Sequence, residues 1–170
     1  MRTLAVALLP VSLIAIIFAA GPAGAQAPAP APPPQVAYGP PITLEQAKKV
    51  MAAAEAEARK NNWNVVISVI DSGGHLVSMQ RLDGTQLGSI EVARQKAYSA
   101  VLYRRPTKVF EDGVSQGGLN LRLLKLEGAS PFEGGVPIMV DGKIVGAVGV
   151  SGVTSAQDGQ IARAGAEAMK

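Results

Sequence analysis

Residues 134–152 read GGVPIMVDGKIVGAVGVSG, two short apolar runs on either side of a single Asp141-Gly142 pair. Both central residues of a type I′ turn need positive φ, so an Asp-Gly dipeptide between β-rich runs is a strong local hairpin signal. The stretch therefore predicts strands over residues 136–140 and 143–150. Gly146 and Gly149 interrupt the second run. A glycine inside a strand packs nothing, so two of them predict that another backbone, a helix or a ligand comes very close.

Working outward, the apolar β-branched run 65–70, the turn cluster Asp71-Ser72-Gly73-Gly74 and the alternating run 75–81 read as a second hairpin, its first strand central in the sheet. Thr43 and Gln46 form a capping-box pattern ahead of Leu44, Ala47, Val50, Met51, Ala54 and Ala58, which predicts a helix over 44–61. Ser89 is placed to cap a helix over 90–103 with Ile90, Ala93, Ala97 and Val101 on one face, ending before Arg104-Arg105-Pro106. Thr107 opens a short helix to about residue 114, and alternating leucines in LNLRLLKL, residues 119–126, favour a strand. Thr154 and Gln157 would cap a last helix over 156–169. Antiparallel hairpins mixed with helices indicate an α+β sandwich rather than an alternating α/β fold.

The chain of 170 residues has room for one domain behind a leader. Met1-Arg2, an apolar run to Ala20 and the small-x-small site Ala23-Gly24-Ala25 predict a secretory signal peptide over 1–25, cleaved near Ala25, and hence a secreted or periplasmic protein. Residues 26–41, dominated by Pro and Ala, read as an extended linker, and residues 42–170 as the domain. The absence of cysteine removes disulfides, thiolate metal sites and thiol nucleophiles. A net charge of +3, with basic and acidic residues interspersed, gives no phosphate-backbone footprint, and 4% aromatic residues are too few for base stacking.

No catalytic constellation emerges from the residue inventory. His75 is the one histidine, at a turn edge where it can bond nearby backbone, and no nucleophile-elbow pattern accompanies it. Glu111 and Asp112 are adjacent and turn to different sides of a helix, and no His pair or Asp-rich loop marks a protein-ligated metal. The strings Ser72-Gly73-Gly74 and Gly117-Gly118 lack the lysine and the strand-to-helix setting of a phosphate loop.

The C-terminal signature resembles the GlcG/HbpS-like heme-binding proteins. It is carried by Gly134, Gly135, Pro137, Gly142, residues 145–147 and 149–152, Asp158 and the Ala-rich run to Lys170, and the likeness extends from about Ile42. The resemblance implies a five-stranded antiparallel sheet, profilin-like in outline and flanked by helices, a homo-oligomer, and heme as ligand. Heme needs an apolar slot, an axial group and cations or donors for its propionates. Arg94, Arg104, Arg105 and Lys108 offer cations near the helix break. The resemblance makes His75, Arg105 and Thr107 the expected heme contacts, with Tyr98, Tyr103 and Met79 as further iron-ligand types; Thr107 reads equally as a helix cap. The leading expectation is an exported protein that binds or buffers heme without catalysis. A role in small organic acid catabolism and a ligand-sensing module are the alternatives.

Overall fold

The structure, a computed structural model, describes residues 35–170. The expected signal peptide and the first part of the expected linker lie outside the described residues. The elements run α1 (Leu44–Lys60), β1 (Val66–Asp71), β2 (Leu76–Arg81), α2 (Ser89–Leu102), α3 (Lys108–Ser115), a 3₁₀ segment (Gly118–Lys125), β3 (Gly135–Val140), β4 (Lys143–Ser151) and α4 (Ser155–Glu167). This is an α+β fold.

Among the described residues the sheet has four strands in the order β2-β1-β4-β3, every neighbouring pair antiparallel. Both expected hairpins form. Asp141 (φ 50°) and Gly142 (φ 72°) adopt the positive φ that their turn demands. At the other turn the Asp71 carboxylate accepts from the backbone N–H groups of Gly73 (2.8 Å) and His75 (2.9 Å). The inner strands β1 and β4 are buried almost throughout, as strands covered on both faces must be.

The fifth strand expected by resemblance is absent among the described residues, and residues 119–126, read as a strand, instead belong largely to the 3₁₀ segment. None of that segment's residues is buried, so its leucines have no sheet face to alternate against. A different stretch joins the sheet. The tail of the expected linker is docked: Tyr38 bridges Ile144 in parallel fashion, with Gly39 N–H on Ile144 O and Ile144 N–H on Ala37 O.

One face of the sheet packs against α1 and α4 around Val50, Ile67, Val148, Val150 and Ile161, and the other against α2 around Ile70, Ala97, Ala100, Ile144 and Ala147. The change of face along β4 comes at a bulge. Ile138 pairs with Gly146 while Met139 pairs with Ile144, which leaves Val145 as the extra residue. A Cβ at Gly146 would lie 2.2 Å from Ile70 O, and one at Gly149 would lie 2.1 Å from Ala93 O. The close approach predicted from these glycines is thus made by the backbones of β1 and α2. Ser89 does not cap α2. It is buried, with its hydroxyl 3.3 Å from that of Ser151, and Ile90 is turned outward while Lys96 is buried.

Candidate functional site

The outward stripe of α2 carries Arg94, Tyr98 and Leu102, spaced one helical turn apart, with Gln95 beside them. Together with Glu127, Gly128 and Ala129 they line a cleft of about 830 Å³. Tyr98 is its central wall and is 37% exposed. Its ring is held between two glycines of positive φ, Gly74 (86°) and Gly128 (73°). A Cβ at Gly74 would come within 2.9 Å of the ring and one at Gly128 within 3.0 Å, so the β1–β2 turn and the 127–129 loop both close onto it. The Tyr98 hydroxyl makes no hydrogen bond to another described residue.

Arg94 forks onto Glu91, with Nη2 2.6 Å from Oε1 and Nε 3.1 Å from Oε2. The hydrogen bonds from Arg94 hold the Glu91 carboxyl below its usual range, and the same bonds push the Arg94 guanidinium up. Both side chains remain about half exposed, so Arg94 still faces solvent at the rim of the cleft. The Tyr103 hydroxyl donates to Glu127 O and ties the loop to the end of α2.

The residues singled out in the sequence do not converge. His75 is exposed at the β1–β2 turn, next to Gly74, which packs on Tyr98; its Nδ1 lies 3.5 Å from Asp71 Oδ1. Arg105 donates to Tyr103 O (3.0 Å), lies 6.0 Å from the Phe110 ring centroid and lines neither this cleft nor the one described next. Arg104 and Pro106 line a second, apolar cleft of about 390 Å³ against β3. Thr107 is fully buried. Its N–H donates to Gly135 O (3.0 Å) and its Oγ1 accepts from Gly135 N–H (2.9 Å), so it clamps the start of β3 and makes no side-chain cap on α3. A contact from Thr107 to a ligand would first have to break that clamp.

Two features escaped the sequence reading. The loop at residues 127–129 became a cleft wall only through its long-range contact with Tyr98, although the i, i+4, i+8 stripe of Arg94, Tyr98 and Leu102 was a usable signal. Nor did the spacing single out Lys96. Its Nζ is 2.7 Å from Asp158 Oδ2 and 3.0 Å from Val150 O, with both side chains 3% exposed. Burial pushes the Asp158 carboxyl up, against the opposing pull of the Lys96 ammonium. The signature glycine Gly134 makes room for this pair, since a Cβ there would lie 2.9 Å from Lys96 Nζ and from Asp158 Cβ.

Comparison with known proteins follows the same outline. Protein GlcG of Escherichia coli (strain K12) is 43% identical over 110 residues, 65% of this chain and 81% of that protein. The crystal structure of HbpS superposes with a TM-score of 0.70 at 32% identity, covering 78% of this chain and 92% of that one. The crystal structure of the PduOC:heme complex gives a TM-score of 0.69 at 27% identity, covering 76% and 96% respectively. The model of the family described as haem degrading protein HbpS-like matches residues 42–167, so the chain belongs to the HbpS-like family.

Proposed function

We propose that this chain is an exported heme-binding protein whose heme site is the cleft beside α2. The observation that carries this reading is the half-exposed Tyr98 phenol, without a hydrogen-bond partner among the described residues, held between Gly74 and Gly128 in a cleft of about 830 Å³. Tyrosine and histidine are both side chains that hold heme iron. The residues present fit the group. Tyr98 would supply an oxygen to hold the iron, Leu102 and Ala129 apolar surface, and Arg94 with Gln95 hydrogen bonds to a propionate, while His75 stands on the turn that abuts Tyr98. Heme itself would supply an iron centre able to bind small ligands or electrons. Membership of the family and the heme complex of PduOC support the ligand.

A hemin titration followed by visible absorption tests the reading. The expected result is a saturable Soret shift that Tyr98→Phe weakens about tenfold or more, with loss of the phenolate-to-iron charge-transfer band. An absence of saturable binding would sink the proposal. If His75→Ala alone alters the bands, the imidazole and not the phenol holds the iron.

The family description favours a second reading, in which the bound heme is degraded rather than buffered. Hemin incubated with the protein, ascorbate and dioxygen would then lose its Soret band faster than free hemin and yield an open-chain tetrapyrrole. Storage without catalysis predicts no product above the free-hemin control.

A further inference from the structure

The end of α2 is unusual for the residue it uses. Arg104 N–H donates to Val101 O (3.2 Å) and Arg105 N–H to Ala100 O (3.2 Å), and Arg104 sits at φ 53°. This is the helix-ending motif in which the residue just beyond the cap takes the left-handed conformation, a place ordinarily given to glycine because a Cβ is disfavoured there. Strain kept at one residue points to a use for its side chain.

The side chain of Arg104 reaches the second cleft. Its Nη1 donates to Val36 O (3.2 Å) and its guanidinium carbon stands 5.0 Å from the Tyr38 ring centroid. Around it the wall is apolar: Pro106, Val136, Pro137, Met139 and Ile144. Two further cations and one carboxylate line the same cleft, and each cation faces a carboxylate, Arg163 that of Glu133 and Lys170 that of Glu167. Arg104 has no carboxylate partner among the described residues.

The geometry points to a second ligand site here, one that takes a small monocarboxylic acid with a short aliphatic or aromatic tail. A guanidinium is weakly hydrated and presents a planar fork that matches a carboxylate. The apolar wall accepts the tail, and about 390 Å³ lies within the range of small-molecule sites. Glu167 beside the other cations sets the site against a dianion such as a phosphate ester. The site is separate from the Tyr98 cleft, so it stands or falls independently of the heme reading.

The test uses hexanoate and benzoate, with hexanamide and benzamide as uncharged analogues, measured by calorimetry and by the ligand-dependent rise in Tm. The acids are expected to bind saturably and the amides about tenfold or more weakly. Arg104→Gly removes the guanidinium and relieves the left-handed strain, so it is expected to melt no lower than the parent, to lose the acid-dependent Tm rise, and to keep the hemin titration unchanged. Equal binding of acids and amides, or acid binding undiminished in Arg104→Gly, would overturn the proposal. A marked fall in Tm for Arg104→Gly would also overturn it, by making Arg104 a structural residue. Acid binding that emerges only after residues 26–34 are removed would assign the cleft to the chain's own N-terminal segment instead.

Discussion

Thr107 shows how far a single residue can depart from its local reading. Spacing made it a helix cap and the family resemblance made it a heme contact, yet its partner is Gly135, 28 positions away in sequence. No local pattern encodes a bond of that range, which is why sequence placed the residue but not its role. Gly135 in turn must be glycine, because a Cβ would lie 2.2 Å from Lys96 O and 2.7 Å from Thr107 Cγ2. Thr107→Val keeps the shape and removes the acceptor, leaving the buried Gly135 N–H without it. The expected cost is about 1–3 kcal/mol, read as a lower urea midpoint at unchanged m-value. The hemin spectrum of the folded variant should match the parent's. A changed Soret band at unchanged stability would return Thr107 to the heme site.

Elements whose signal is local were legible in the sequence, and those decided by packing were not. The two hairpins follow from the Asp141-Gly142 turn and the Asp71–Gly74 cluster, whose side chains and φ values act within a few residues. The run 119–126 has leucines that could serve a strand, and only the lack of anything to bury them makes it 3₁₀. The union of α2 with α4 around β3 is likewise a matter of packing. Lys96 from α2 meets Asp158 of α4 beside Gly134, and Asp158 Oδ1 also accepts from Val153 N–H (3.2 Å). Removing one partner of such a pair strands the other charge in the interior. Asp158→Ala is expected to cost about 3–5 kcal/mol. The double replacement Lys96→Met with Asp158→Leu removes both charges and should recover most of that loss, as seen in urea denaturation. If the double variant is as unstable as Asp158→Ala, the pair's hydrogen bonds to Val150 O and Val153 N–H, not the charge balance, hold the junction.

At the scale of the whole molecule, the surface of the described residues carries a row of exposed leucines. Leu119, Leu121 and Leu124 of the 3₁₀ segment are 84%, 48% and 57% exposed, and Leu126 beside them is exposed as well. The segment is nonetheless docked, because Leu123 packs where a Cβ at Gly113 would come within 2.6 Å of it, so α3 supports the row from behind. Several apolar side chains presented together mark a surface that another molecule covers. The family resemblance implies a homo-oligomer, which would make a second copy of this chain the occupant. The expectation is that native mass spectrometry finds a multiple of the subunit mass, and that Leu119→Glu combined with Leu124→Glu shifts it to the monomer with unchanged circular dichroism. The replacements cost the monomer little, since neither leucine is buried within it; surface changes of this kind stay within about 0.5 kcal/mol. A parent that remains monomeric at high concentration would refute self-association. A double variant that keeps the parent's mass would move the interface elsewhere on the surface.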